Sequence, residues 1–280
     1  MINSGKNKKN IALISLLPEE KHGVKKLSAS DFGAGDNILA LNAIKADTSA
    51  TIIKGGEIVS CVQEERFNRQ KRTDDFPRLA IKFCLAESAM CWKDLDIVFW
   101  QKTYHPEALY YLQFKKNQMK IIKANGFHHL AHGGSSFRLS GFKKANILVI
   151  DAKGDDNDSI TFFIGNDGKI RKRWRVDCNK ISLGDIYERA ALKIGLASNA
   201  SFAARHGQGK MMALSAYGKP SSNYKDIFYI KDHKNVVDNS REYISSISRK
   251  ASKRKIPHVE VITFTANIQK CLEDSVINLI

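Results

Sequence analysis

The chain has 280 residues, of which 43% are hydrophobic and 26% charged, the composition of a folded protein with a core of its own. That excludes a disordered tail, a collagen-like repeat and a disulfide mini-scaffold. Lys plus Arg (45) exceed Asp plus Glu (29), and the net charge of +16 suits anionic partners such as nucleotides, phosphorylated substrates or nucleic acid.

Much of the basic excess gathers at residues 6–26 and 241–255. No apolar run approaches the roughly 18 residues of a membrane-spanning helix, so no membrane partner is expected. Residues 11–17 follow a basic patch but run into Pro18-Glu19-Glu20-Lys21 without a small-residue cleavage pattern, so no secretory leader is expected. The five cysteines (Cys61, Cys84, Cys91, Cys178, Cys271) form no Cys-x-x-Cys pair. That argues against a zinc ribbon and fits a reducing cytoplasm.

Residues 1–36 lack sustained periodicity and read as a basic N-terminal extension. Strands are expected at 38–41, 49–53 and 57–62, the last two joined by the tight turn Lys54-Gly55-Gly56, so the sheet begins antiparallel. Pro77 opens a helix that places Ile81, Cys84, Leu85 and Ser88 on one face. A strand at 95–100 follows, then a long helix at 106–124 ending at Gly126, a short His-rich helix and a strand at 146–151. Two further strands, 159–165 and 170–176, flank the turn Asn166-Asp167-Gly168-Lys169. Ser182 caps a helix running to residue 194, and another spans 209–217. Residues 219–258 are polar and basic and are expected to be a loop-dominated insertion. The terminal stretch 259–280 is an amphipathic helix with Phe264, Ile268, Leu272, Val276 and Leu279 at helical spacing. No internal repeat is evident, and the order of elements implies an α/β layered domain.

The sharpest chemical signal is Phe127-His128-His129-Leu130-Ala131-His132. On a helix His128 and His132 are four apart and share a face, close enough to hold one divalent metal, although the Glu of a zincin helix is absent. The alternative is a pair of structural histidines. Asp151 ends the strand 146–151, and a carboxylate at a strand's C-terminal end projects where α/β sheets bind ligands. Two imidazoles and one carboxylate suit iron, manganese or zinc and leave positions open for substrate.

Weaker signals accompany it. Asp151-Ala152-Lys153-Gly154-Asp155-Asp156 is an acid-plus-glycine turn able to approach a phosphate or its metal, and the turn holding Asp47 and Ser49 has similar character. Residues 63–72 alternate acids and bases; composition favours a solvated charged loop, but Lys71 or Arg69 could clamp a phosphoryl or carbamoyl group. Gly207-Gln208-Gly209-Lys210 starts a helix and could offer N–H groups and a charge to an anion, without Walker spacing.

Taken in order, these segments resemble the NodU/CmcH carbamoyltransferase family. The pieces are Leu41-Asn42-Ala43 with Asp47-x-Ser49-Ala50, Gln63-Glu64-Glu65-Arg66-Phe67-x-Arg69-x-Lys71, and Phe76-Pro77 with Ala80-Ile81 and Cys84-Leu85. His128-His129-Leu130-Ala131-His132, Asp151-x-x-Gly154, Ser182-Leu183-Gly184-x-x-Tyr187 and Gly209-Lys210-x-Met212-x-Leu214-x-x-Tyr217-Gly218 continue it. The resemblance implies an ASKHA (actin/sugar-kinase-like) domain, with residues 37–218 as its ribonuclease-H-like first half, a mixed sheet with flanking helices. It implies that a YrdC-type domain or chain makes carbamoyladenylate from carbamoyl phosphate and ATP. The carbamoyl group then passes to a hydroxyl of a small-molecule acceptor. By motif, His128, His132 and Asp151 would hold iron, Lys71 would contact carbamoyladenylate, and Asp47, Arg69, Gly154 and Lys210 would line the substrate site.

Three departures stand out. Ala46 replaces the His that usually precedes the first-turn aspartate, leaving Lys45, one residue away, as the candidate base. Gln208 and Asp155 stand where Glu is common. The second half of the domain would lie beyond Ile280, so the stripe Ile268, Leu272, Val276 and Leu279 is expected to be exposed. A non-catalytic protein binding an anionic partner, or a tRNA-threonylcarbamoylation-type enzyme, are the competing readings. Nucleic acid is not favoured, because no stacking platform or recognition helix accompanies Arg249-Lys250 and Lys253-Arg254-Lys255.

Overall fold

The computed structural model describes residue 33 and residues 35–43, 46–100, 120–123, 127–154, 156–197, 206–253 and 258–280. Lys45, Asp155, Arg254, Lys255, most of the basic extension and most of the helix expected at 106–124 lie outside the described residues. The chain divides into two compact units, residues 1–125 and 126–280.

The first unit is built on a five-stranded mixed sheet. β1 (Asn37–Asn42), β2 (Ser49–Lys54) and β3 (Glu57–Gln63) form an antiparallel meander. β4 (Ile97–Trp100) and β5 (Lys120–Lys123) extend it in parallel beside β1, in the order β3-β2-β1-β4-β5. Gly55 and Gly56, at φ of 58° and 86°, supply the two left-handed residues that match a hairpin turn to strand twist. The period of two turns Leu39, Leu41, Ala50 and Ile52 onto one face. Against them packs α2 (Arg78–Glu87), which follows the single turn α1 (Glu65–Asn68), through Ala80, Ile81, Cys84 and Leu85. Each fully buried Leu or Ile there contributes about 1.5–3 kcal/mol. Pro77 stands as the residue before α2, not inside its first turn. The expected helix at 106–124 is wrong at its end: Lys120-Ile121-Ile122-Lys123 pairs with β4 as a strand, because parallel pairing overrides a helical periodicity too short to be decisive.

The second unit starts with α3 (His128–Leu139) and a three-stranded antiparallel sheet of β6 (Lys144–Ile150), β7 (Asp158–Asn166) and β8 (Lys169–Asp177). One face lies under α3, where Phe137 meets Ile147, Val149 and Phe163. Gly165 is required there, since a Cβ would stand 2.7 Å from the Phe137 ring. The other face joins a larger core with α4 (Leu183–Lys193), whose first turn is capped by Ser182 accepting from the Asp185 N–H at 3.2 Å. α5 (Gln208–Ser215) and α7 (His258–Ile277) complete this core.

Two expectations are corrected here. Residues 219–253 are not loop-dominated: they hold the hairpin β9 (Phe228–Ile230) and β10 (Val236–Asp238) and the helix α6 (Ser240–Lys253). Five buried apolar residues, Ile227, Phe228, Ile230, Ile244 and Ile247, seat this polar segment on the core. The stripe on α7 is not exposed either. Ile268 and Leu279 are buried, and Leu272 and Val276 pack against the same core. Among the described residues no helix is long and apolar enough to cross a membrane.

Candidate metal centre and its surroundings

The His-rich segment folds as the first turn of α3, and β6 delivers Asp151 at its C-terminal end. The i, i+4 spacing stacks the rings of His128 and His132 with centroids 4.7 Å apart and planes at 89°. Asp151 Oδ2 lies 2.6 Å from His128 Nε2 and 3.8 Å from His132 Nε2, and the two Nε2 atoms are 3.3 Å apart. The structure therefore brings together three residues chosen from sequence. His132 is exposed while His128 and Asp151 are half-buried, so the cluster opens to solvent on one side.

The donor set fits a divalent cation. Three atoms at those separations lie on a circle of radius about 1.9 Å, so a point 2.0–2.2 Å from all three exists just out of their plane. Without a cation His128 Nε2 sits within hydrogen-bond distance of both Asp151 Oδ2 and His132 Nε2, and a bound metal would displace the shared proton. The electrostatics agree. Desolvation and the neighbouring His128 hold His132 below the usual imidazole value, which favours the neutral ligand form. Burial alone would raise the Asp151 carboxyl; the hydrogen bonds from His128 and the Ala152 N–H, with both imidazoles nearby, bring it below the ordinary carboxylate value.

His129, absent from the sequence-based site, is the buried histidine of the three, 5% exposed. A usable signal existed: His129, Gly133 and Phe137 recur every four residues and form the buried stripe of α3. Gly154 is buried as well, and the close approach that demands glycine there is to the His129 ring. Lys210 is exposed on the first turn of α5 and makes no ion pair among the described residues.

The other sequence candidates belong to the first unit. Asp47 adopts φ of 56° in the β1–β2 turn, where Asn42 Nδ2 donates to its carbonyl at 3.0 Å and Arg72 Nε lies 3.6 Å from its carboxylate. Arg69 and Lys71 are exposed on the loop after β3, with Arg69 at φ of 61°. That loop is not simply solvated. Glu64 is 4% exposed, and its carboxylate accepts from the Leu79 and Ala80 N–H groups at 3.1 and 2.8 Å. A helix N-terminus attracts an anion, which explains a buried acid without a cationic partner among the described residues. Glu65 adds a second tether by accepting from the Arg72 N–H at 2.7 Å.

Comparison with known proteins places the chain. It belongs to the family described as carbamoyltransferase N-terminus, whose model matches residues 37–107 and 99–279. The nodulation protein NolNO of Sinorhizobium fredii is 26% identical over 212 residues, covering 67% of this chain and 30% of that protein. The uncharacterized protein sll1178 of Synechocystis is 27% identical over 223 residues, covering 66% of this chain and 35% of its own length. The family read from the ordered motifs is thus borne out. The chain spans about a third of the length of the curated relatives it matches. Among solved structures, component A of (R)-2-hydroxyglutaryl-CoA dehydratase from Acidaminococcus fermentans gives a TM-score of 0.46 at 11% identity, covering 88% of this chain and 80% of that one. That likeness is too loose to assign a residue.

Proposed function

We propose that this chain is the N-terminal part of an O-carbamoyltransferase with an ASKHA-type architecture, and that His128, His132 and Asp151 hold its divalent cation, iron by resemblance. The observation that carries the reading is the convergence of two imidazoles and one carboxylate within 3.8 Å, in a chain of this family. When bound, such a cation supplies a Lewis acid beside the negative charge that develops on carbamoyl and phosphate oxygens. The chain's own groups do the rest. His128 and His132 are pre-stacked by one helical turn, and Asp151 contributes the negative charge that selects a cation.

In this reading carbamoyladenylate, made from carbamoyl phosphate and ATP by a YrdC-type domain or chain, is the donor. A hydroxyl of a small-molecule acceptor receives the group. By resemblance, Lys71, Arg69 and Asp47 of the first unit and Gly154 and Lys210 of the second are the residues assigned to the substrate. Lys45 serves as the base in place of the usual histidine, in a cytoplasmic enzyme.

The test supplies the chain with iron, carbamoyl phosphate, ATP, a separate YrdC-type domain and a panel of hydroxylated acceptors, and follows labelled carbamoyl transfer. The expected result is transfer by the wild type and none by His128→Ala, which also retains no iron on metal analysis. Undiminished transfer by His128→Ala overturns the metal role.

A further inference from the structure

His129 lies between the two proposed ligands in sequence but is committed elsewhere in space. Its Nδ1 is 2.7 Å from Thr161 Oγ1, and the Thr161 hydroxyl reaches Asp158 Oδ2 at 3.4 Å. Asp158 is buried and pairs with Arg175 and, at 3.5 Å, with Lys172. An ionised carboxylate only accepts, so the hydroxyl donates to Asp158 and receives its own hydrogen bond from His129 Nδ1–H. The ring is thereby fixed in tautomer and orientation.

The far edge of that ring meets the turn carrying Asp151. His129 Nε2 is buried with no hydrogen-bond partner, and a Cβ added to Gly154 would stand 2.8 Å from its Cδ2 and 3.1 Å from its Nε2. Gly154 closes this turn by donating to the Asp158 carbonyl at 2.7 Å and accepting from Asn157 N–H at 3.2 Å. On the other side, Ser182 Oγ donates to the Ala152 carbonyl at 2.6 Å, and Gly184 leaves no room, since a Cβ there would be 2.7 Å from Ala152 N.

We propose that His129 is a positioning residue: locked by Thr161 and Asp158, its ring is the wall on which the Asp151–Gly154 turn rests, so the Asp151 carboxylate is aimed at the two imidazoles before any cation arrives. A ligand held in advance loses less freedom on binding, and the roughly 10–100-fold typical of groups hydrogen-bonded directly to metal ligands sets the scale for this less direct support.

This rests on the metal reading above, and the experiment separates the two. Cobalt(II) is titrated into the apo chain and read by absorbance and calorimetry. Thr161→Val keeps the shape and unlocks the ring; His129→Asn keeps a donor near the Nδ1 position and removes the wall. Both are expected to weaken cobalt binding about 10–100-fold at unchanged stoichiometry, with faster amide exchange at Asp151 and Gly154 in Thr161→Val. In the Asp151→Asn background Thr161→Val should cost nothing further, because the group it positions is gone. Wild-type cobalt affinity in both single variants overturns the proposal, as does an equal loss with and without the Asp151 carboxylate. A wild-type chain that binds no cobalt overturns the metal reading and this inference together.

Discussion

Each unit contains an antiparallel three-stranded meander followed by a helix: β1-β2-β3 with α2 in the first, β6-β7-β8 with α4 in the second. The hairpin turns match too. Gly55-Gly56 and Asp167-Gly168 are each a pair of left-handed residues, the latter at φ of 46° and 75°. Both first strands lead into a turn that carries an aspartate, Asp47 in one and Asp151 in the other. What differs is the neighbour. Asp47 has the Arg72 guanidinium at 3.6 Å, a half-exposed ion pair worth about 0–1 kcal/mol. Asp151 has two imidazoles delivered by α3, His128 in hydrogen-bond contact and His132 at 3.8 Å, the set proposed above to hold a cation. The same backbone plan gives an ion pair or a candidate ligand set according to what stands beside the turn: a loop arginine in the first unit, a histidine-bearing helix in the second.

The largest effects should fall where that difference lies. His128→Ala is expected to lower cobalt affinity by more than about 100-fold, beyond the range of an outer partner. Arg72→Ala, which alters the corresponding turn of the first unit, should leave cobalt affinity unchanged in the same titration. Equal losses in the two variants would break the comparison. Next in size is the acid that anchors the first unit. Glu64→Ala strands two N–H groups at the start of α2 and should destabilise that unit by about 1–3 kcal/mol in denaturant unfolding. Amide exchange at Leu79 and Ala80 localises the loss.

Glu64 also shows what the sequence could not disclose. In the run Gln63-Glu64-Glu65-Arg66 nothing local distinguishes a solvated acid from a buried one, because its partners are backbone groups 15 and 16 residues away. The cluster proposed to hold a cation was legible for the opposite reason: helical spacing and a strand end place His128, His132 and Asp151 by local rules. His129 was half legible, since the stripe through Gly133 and Phe137 says that it faces inward, but not that Thr161 and Gly154 await it. The repeated meander left little trace in residue identity beyond a turn glycine and an aspartate after the first strand, because antiparallel pairing asks only for alternation. Polar composition misled at 219–253, where five buried apolar anchors outweigh their surroundings.

The second unit caps its helix more modestly than the first. Ser182→Ala removes one acceptor for the Asp185 N–H and should cost about 1 kcal/mol. A loss as large as that of Glu64→Ala would mean that its bond to the Ala152 carbonyl, holding the Asp151 turn, matters more than the cap.

The smallest effect belongs to the β9–β10 turn, which has no counterpart among the described residues of the first unit. Asp232 there accepts from Asn235 Nδ2 at 2.7 Å and from the Lys234 and Asn235 N–H groups, and these bonds hold its carboxyl at about 2 against an ordinary value of 3.8. Between those values the unfolded chain binds more protons than the folded one, so stability rises with pH across the window. The turn's contribution is complete above the unfolded value and lost as pH falls through the folded one. A carboxyl titration by NMR should find the Asp232 midpoint near 2, and Asn235→Ala should move it upward, since the side-chain bond is the largest cause. An unmoved midpoint would assign the shift to the two backbone N–H groups alone, and the turn would then owe its shape to its backbone rather than to this pair of side chains.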